Sequence, residues 1–140
     1  MAKSIRYIKI RDLKEGMENV HVLVRVLRTT QPKIVHTRSG PRTLSEAIVG
    51  DESGRIKLTL WGDKAGTVDE DQVIDVSGAW TTSFRGNVQL NVGRRSIIKV
   101  VNDELVPKAN EIPEEVPKAR RLSRGPPERK GFKGRKGRNW

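Results

Sequence analysis

The chain has 140 residues, of which 34% are hydrophobic and 4% aromatic, and its formal net charge is +11. This length accommodates one domain of about 100 residues with tails, and the low hydrophobic content predicts that part of the chain lies outside a packed core. The lack of cysteine excludes disulfides and thiolate zinc sites, and two histidines, His21 and His36, are too few for a metal cluster without carboxylate ligands.

The first strand is predicted at residues 20–28, where valines occupy alternate positions. β-branched residues with this period suit the buried face of a sheet. The apolar run that starts at Val22 is interrupted by Arg25, so we expect neither a signal peptide nor a membrane span. A cytoplasmic location follows as the default expectation. The alternating valines are Val20, Val22, Val24 and Val26.

Residues 29–41 are predicted to be a loop, because they include Pro32, Gly40 and Pro41. The loop carries the basic residues Lys33 and Arg38 and is followed by a second strand over residues 42–49. Two sets of residues compete for the core face of that strand, and the pattern does not choose between them. They are Leu44, Glu46 and Ile48 on one side, and Ser45, Ala47 and Val49 on the other.

A turn at residues 51–54 leads into the third strand, in which Ile56, Leu58 and Leu60 alternate with polar residues. Trp61 falls on the face of Lys57, not on the apolar face. A tryptophan on a basic, solvent-facing surface has a reason to be there if it stacks on a flat partner such as a nucleic-acid base.

A short helix is predicted within residues 62–68, capped by Asp63, before a fourth strand over residues 72–82. Strict alternation from Val76 sends Trp80 into the core. A bulge at Gly78 would instead move Trp80 to the outer face, since glycine inside a strand commonly marks an irregularity. The pattern leaves both orientations open.

A fifth strand over residues 87–92 resumes at residues 97–100 after a break at Gly93. Five strands, one short helix between the third and the fourth, and frequent glycines predict an all-β, closed or partly closed barrel within residues 1–102. Residues 103–117 have no periodicity and are predicted to be a Pro-rich acidic linker. Residues 118–140 contain ten Lys and Arg against the single acid Glu128 and are predicted to be a disordered basic tail.

Three aromatic residues, Trp61, Trp80 and Phe84, would lie near one another on one face of such a barrel, beside the basic loop. Aromatic rings flanked by basic side chains form a stacking platform for single-stranded nucleic acid. The alternative is that Trp61 and Trp80 close the two ends of the barrel. Further candidates either contact the nucleic acid or simply lie in solvent: Arg28, Lys57 and Arg85 for phosphates, and Asn87, Gln89 and Asn91 for bases.

Several stretches of the chain resemble the small archaeal single-stranded DNA-binding proteins, which are relatives of replication protein A and of the human SOSS-complex single-strand binder. The resemblance covers roughly residues 8–101 and is most specific over residues 42–62. The matching stretches are Val24–Leu27, Arg42–Asp51, Gly54–Gly62, Ala79–Thr82 and Val88–Asn91.

The resemblance implies a single OB fold and a stacking trio at Trp61, Trp80 and Phe84, and therefore an irregularity at Gly78. It also implies that the loop between the first two strands touches the nucleic acid, through Lys33, Val35, Arg38 and Arg42. Relatives often finish with an acidic tip that recruits partners, whereas this sequence reads Lys136-Gly-Arg-Asn-Trp140 at its end, so the resemblance does not extend to that tip. Replication and repair proteins remain candidate partners.

The function predicted is largely sequence-independent binding of single-stranded DNA, by stacking and backbone contacts, in replication, recombination and repair. The protein is expected to be a nucleoid-associated monomer that needs no cofactor. No catalytic constellation is recognisable, so it is not expected to be an enzyme. The rival hypotheses are an RNA-binding OB module and an OB subunit that docks another protein.

Overall fold

The computed structural model describes residues 7–118, and these form seven strands. Five strands close a ring in the order β1–β3–β4–β6–β5, with β5 pairing back to β1. The predicted five-stranded barrel is therefore confirmed, whereas the basic tail after Lys118 lies outside the described residues. The strands are β1 (Val20–Thr29), β2 (Lys33–Thr37), β3 (Gly40–Asp51), β4 (Gly54–Trp61), β5 (Val73–Phe84), β6 (Asn87–Val92) and β7 (Ile97–Val101).

The barrel interior is aliphatic and comes from alternate positions of all five ring strands. On β3 the inward residues are Ser45, Ala47 and Val49, each at most 3% exposed, which decides the orientation that the sequence left open. The rest of the barrel interior consists of Val20, Val22, Val24 and Val26 of β1, Ile56, Leu58 and Leu60 of β4, Ile74, Val76 and Ala79 of β5, and Val88, Leu90 and Val92 of β6.

The prediction of a loop over residues 29–41 is wrong, because residues 33–37 form β2. This strand pairs antiparallel with the start of β3, and Thr37 Oγ1 donates to Gly40 O at 2.8 Å in the turn between them. The alternating side chains of β2 are compatible with a strand, and Pro32 and Pro41 lie beside it without preventing the pairing. The result is a β2–β3 hairpin that extends beyond the barrel.

The structure differs from the prediction in two other elements: the helix after Trp61 is shorter, and the continuation of the fifth strand is a separate strand. The helix after Trp61 is a single 3-10 turn, Gly62–Lys64, without a side-chain cap from Asp63. Gly62 and Gly66 adopt positive φ angles of +60° and +76°, which are incompatible with a continued right-handed helix. Residues 97–101 do not continue β6 but form β7, which pairs with the first half of β5.

The predicted irregularity at Gly78 is present in β5. Gly78 has φ +71°, and the pairing with β1 shifts between Val20↔Ala79 and Val22↔Val76, so that β5 has one residue more than β1 over this interval. The extra residue resets the alternation: Ala79 turns inward with 0% exposure, and Trp80 turns outward.

Residues 103–118, which we call the strap, pack against the outside of the barrel, although their composition indicates a linker. The strap contains two 3-10 turns, Asp103–Leu105 and Ala109–Glu111, and buries Val106 and Ile112 against Val73. Its course passes over glycines: a Cβ on Gly54 would lie 2.6 Å from Glu115 O. Within residues 7–118, no helix has the length and apolar character needed to cross a membrane.

Arg25 of β1 holds the strap in place and is fully buried. Its Nε donates to Pro107 O at 2.8 Å, and its Nη2 donates to Val106 O at 2.9 Å and to Asp103 O. Nη1 donates to both the carbonyl and the carboxylate of Asp71. A buried guanidinium is costly unless its donors are paired, so these contacts select one position of the strap.

Candidate nucleic-acid interface

The outer face of β4, β6 and β5 carries most of the predicted site residues in registered rows. One row places Lys57 of β4 beside Gln89 of β6, and Gln89 beside Thr82 of β5. The next row places Asn91 of β6 beside Trp80 of β5. Side chains at paired positions of a ladder point to the same face. The pairing therefore brings these residues together into one surface.

Trp61 ends β4 and is held at the edge of this surface by Asn91. The indole Nε1 donates to Asn91 Oδ1 at 3.2 Å, and Asn91 Nδ2 donates to Thr82 Oγ1 at 3.1 Å. On its other side, Arg42 Cζ lies 5.2 Å from the centroid of the Trp61 ring, a distance suited to a cation–π contact. Trp61 is therefore half-buried and fixed in orientation.

Trp80 lies beside Trp61, supported by a tight turn over residues 93–96. A Cβ on Gly93 would come within 3.2 Å of the Trp80 ring and 4.0 Å of Trp61 Cβ, so the absence of a side chain there is what lets the ring approach. Ser96, which is 4% exposed, donates its hydroxyl to Gly78 O at 2.8 Å and accepts from Gly93 N. This buried serine ties the bulge to the turn.

Phe84 ends β5 at a two-residue hairpin and is 55% exposed. The turn residues Arg85 and Gly86 have φ of +54° and +83°, as the tight turn between twisted strands requires. Arg85 Cζ lies 5.1 Å from the centroid of the Phe84 ring. Asn87 pairs with Phe84 across the hairpin and accepts a hydrogen bond from Lys118 Nζ at 3.0 Å, so the strap ends at this point of the surface.

The three aromatic residues line one continuous groove. An open cavity of about 460 Å³ lies between all three of them, and a second of about 430 Å³ extends past Trp61 and Trp80 toward Arg94. Their alternative role of closing the barrel ends does not fit, since the rings lie on the outer face. Lining residues of the first cavity are Arg42, Thr59, Trp61, Trp80, Thr82, Ser83, Phe84, Gln89 and Asn91.

The β2–β3 hairpin continues the groove. Lys33 pairs with Leu44, which in turn pairs with Trp61, and Val35 pairs with Arg42, so these residues share the face of Trp61. Arg38 lies in the exposed turn at the tip of the hairpin.

Arg28 and Lys57 lie around a separate cavity of about 210 Å³ at the other side of this surface. Lys57 Nζ forms an ion pair with Glu46 Oε2 at 3.0 Å, which partly neutralises its charge. Lys57 is therefore less available to an anion than its place on the strand suggests.

A polar cluster outside the groove, at β1 and the first half of β5, is structural. The Tyr7 hydroxyl donates to Asp75 Oδ2 at 2.7 Å, and His21 Nε2 lies 2.7 Å from Asp75 Oδ1. The hydrogen bond to the Asp75 carboxylate raises the pKa of Tyr7 to about 12. Burial alone would raise the pKa of Asp75, but the hydrogen bonds from Tyr7 and His21 outweigh it and lower that pKa.

Sequence reasoning did not find the roles of Asn91 and Ser96. Asn91 was one of three polar residues expected to face bases or solvent, yet it is 6% exposed and orients Trp61. Its position between the two tryptophan-bearing strands is knowable only once β4 and β6 are paired. Ser96 follows two arginines in what appeared to be a break between strands, and no local pattern marks it as buried.

The described residues match the family model "Single-stranded DNA binding protein Ssb-like, OB fold" over residues 13–100. The chain is also 47% identical over 126 residues to the single-stranded DNA binding protein Ssb of Saccharolobus solfataricus, which covers 90% of this chain and 84% of that protein. The chain belongs to the Ssb-like family. The match includes every residue of the groove described above.

Solved structures similar to this Ssb-like protein include two from archaea. The replication factor A related protein from Methanobacterium thermoautotrophicum has a TM-score of 0.60 and 25% identity, covering 73% of this chain and 96% of that one. The second OB-fold domain of replication protein A from Methanococcus maripaludis also has a TM-score of 0.60, with 19% identity, and covers 69% of this chain and 96% of that one. At 19% identity, the likeness to the Methanococcus maripaludis domain shows the fold alone.

Proposed function

We propose that this protein binds single-stranded DNA, largely independently of base sequence, by stacking bases on Trp61, Trp80 and Phe84. The observation that carries this proposal is the groove in which the three rings line one cavity on the outer face of β4, β6 and β5. Every base has a π face, so stacking tolerates any sequence. Membership in the Ssb-like family supports single-stranded DNA as the ligand.

Side chains beside the rings supply further contacts to the strand. Arg42 and Arg85 each lie over an aromatic ring, where a guanidinium also meets the phosphates of a stacked strand. Lys33, Val35 and Arg38 contact the strand from the β2–β3 hairpin, and Arg28 and Lys57 contact it at the far side. Asn87 and Gln89 face the groove from β6 and hydrogen-bond to bases or sugars.

The protein acts by binding alone, as a nucleoid-associated monomer that protects exposed strands during replication, recombination and repair. The groove has the polar and aromatic lining of a binding surface. An assay of strand cleavage or ATP hydrolysis in the presence of the bound strand should give no turnover. Turnover that co-purifies with the protein and disappears in a groove variant would overturn this part.

The stacking mechanism is tested by titrating the full chain with oligothymidine. Replacing Trp140 by Phe leaves Trp61 and Trp80 as the only tryptophans, since the sequence holds three. Stacking should then quench the emission strongly. Trp61→Ala and Phe84→Ala should each weaken binding by about 1–3 kcal/mol, the range usual for single-strand-binding OB folds. Leu105→Ala, an equally exposed apolar residue on the strap, is the control and should bind as wild type.

The rival functions give different results in the same titration. If neither Trp61→Ala nor Phe84→Ala changes the affinity, stacking is wrong, and the absence of quenching would favour a protein-docking role for the rings. Competition between DNA and RNA strands of matched sequence distinguishes an RNA binder, since a shape-tolerant stacking groove accepts either sugar unless a contact reads the 2′-hydroxyl. Preference for RNA would overturn the assignment to DNA.

The basic tail contributes a second, purely electrostatic attraction to the strand. Residues 119–140 hold nine Lys and Arg against one acid. The affinity should fall with salt at a slope of about −0.7 per phosphate neutralised, and the slope should be shallower in a chain that ends at Lys118. This end point keeps the strap intact. An unchanged slope would mean that the tail does not take part.

A further inference from the structure

Another open cavity lies on the far side of Trp80 from Phe84 and includes residues that the predicted site does not. It has a volume of about 530 Å³ and is lined by Trp80, by the bulge at Gly78 and by the turn over residues 93–96. Trp80 and Arg94 also line the cavity that leads to Trp61. The two cavities therefore share a wall, and a strand stacked on Trp80 has an open path from one to the other.

Two arginines occupy the corners of this turn, and the backbone of the turn is fixed. Ser96 N donates to Gly93 O at 3.0 Å and Gly93 N donates to Ser96 Oγ at 3.0 Å, which closes the turn from both sides. Arg94 and Arg95 are both exposed, and neither forms an ion pair with any carboxylate among residues 7–118. Two unpaired guanidinium groups on a rigid turn suit a phosphate backbone.

We propose that the turn over residues 93–96 is a phosphate-binding subsite in which Arg94 and Arg95 hold the backbone of the strand where it leaves Trp80. This inference rests on the proposed function of the groove and extends it by one segment of strand. The position of the subsite follows from the hydrogen bond of Ser96 to Gly78, which joins the turn to the bulge that turns Trp80 outward. The hydrogen bond between Ser96 and Gly78 therefore positions the guanidinium groups of Arg94 and Arg95 next to the Trp80 ring.

The opposite wall of the cavity carries one acidic residue, Glu18, beside Asn19. A carboxylate there repels a phosphate and reduces the net attraction of the subsite without cancelling it, because two guanidinium groups face one carboxylate. Glu18→Gln should therefore strengthen binding of a strand that reaches the subsite. The effect should vanish for a strand too short to reach it.

The test compares the full-length wild type with Arg94→Gln/Arg95→Gln on two oligothymidines of about 4 and about 16 nucleotides, the limits of site size usual for one OB fold. The double variant should bind the long strand about 2- to 30-fold more weakly, from two exposed ionic contacts, and should bind the short strand as wild type. Its salt slope on the long strand should be shallower by about 1.4.

The control variant Lys99→Gln/Lys108→Gln removes the same charge from exposed residues that line none of these cavities. If the control variant weakens long-strand binding as much as the arginine variant does, the loss reflects the lower net charge of the protein, and the proposal of a phosphate subsite at this turn is wrong. Equal loss on the short and the long strand would also overturn it. If wild type binds neither oligothymidine, the proposed function itself has failed, which distinguishes the two cases.

Neutral methylphosphonate linkages locate the contact on the strand. Two such linkages at the end of the long strand that reaches the turn should weaken binding by wild type more than binding by the arginine variant. At the other end, where other basic residues contact the strand, the same change should affect wild type and the arginine variant equally. Equal sensitivity of the arginine variant and wild type at both ends would contradict a phosphate contact at Arg94 and Arg95.

Discussion

Arg25 is predicted to be the residue that fixes the strap to the barrel, and Arg25→Leu tests this. The substitution leaves the aliphatic volume of the site partly filled but removes every donor to the carbonyls of Asp103, Val106, Pro107 and Asp71. A buried acceptor without a partner costs about 1–3 kcal/mol. Asp71 and Asp103 are exposed residues whose carbonyls can bind water instead, so the four costs do not add in full.

We expect Arg25→Leu to lower the free energy of unfolding by about 3–5 kcal/mol, a partial sum of the cost of about 1–3 kcal/mol for each of the four carbonyls left without a donor. That is a large share of the roughly 5–15 kcal/mol available to a small domain. Denaturation in urea measures the loss. Arg28→Leu makes the same chemical change at an exposed position of the same strand and should stay within about 0.5 kcal/mol of wild type.

Hydrogen exchange identifies where the loss occurs. The amide of Arg55 donates to Glu115 O at 2.9 Å and the amide of Val88 donates to Pro117 O at 2.9 Å, so both report on docking of the strap. In Arg25→Leu these two amides should exchange faster, while amides in the β1–β5 ladder change only with global stability. If Arg25→Leu is as stable as Arg28→Leu, water satisfies the carbonyls and the guanidinium does not hold the strap.

Three further predictions concern single residues. Gly78→Ala should cost about 1–2 kcal/mol in denaturation, because alanine is strained at φ +71°, and it should shift the Trp80 emission; unchanged stability would contradict the role of the bulge. Asn91→Leu removes the acceptor of Trp61 Nε1 and should weaken oligothymidine binding while the fold persists; wild-type affinity would show that Trp61 needs no such support. Tyr7 is the only tyrosine, so its absorbance titration should give a pKa of about 12, and Asp75→Asn should bring it back toward 10.0. Because the folded-state pKa is the higher one, the stability from the neutral phenol is present below pH 10 and is lost as the pH rises through 12; a pKa of 10 in wild type would exclude the hydrogen bond to Asp75.

The barrel was predictable because its strands obey simple alternation. The valines of β1 and the Ile56–Leu60 face of β4 have the period of two that sheet burial imposes, and this also placed Trp61 on the outside. Trp80 does not follow this simple alternation. Its orientation depends on one extra residue at Gly78, and a glycine in a strand signals an irregularity without specifying its register.

The strap and the supporting residues of the groove were not predictable for a physical reason. Residues 103–118 are held largely by hydrogen bonds that their backbone carbonyls accept from the Arg25 guanidinium of β1. Every residue has a carbonyl, so such contacts leave no recognisable pattern in the sequence. Asn91 and Ser96 act across strands that are distant in the chain. Such contacts depend on tertiary pairing, so composition alone assigns these residues to solvent or to a linker.

The strap also connects stability to the proposed interface. Its last described residue, Lys118, forms a bridge with Asn87, which pairs with Phe84 across the hairpin. Loosening the strap should therefore affect Phe84 and leave Trp61, at the other end of the groove, supported by Asn91. In a double-mutant cycle, Phe84→Ala should cost less binding energy in the Arg25→Leu background than in wild type, whereas the cost of Trp61→Ala should be equal in both. Equal costs for Phe84→Ala in both backgrounds would mean that the strap stabilises the barrel without shaping the groove.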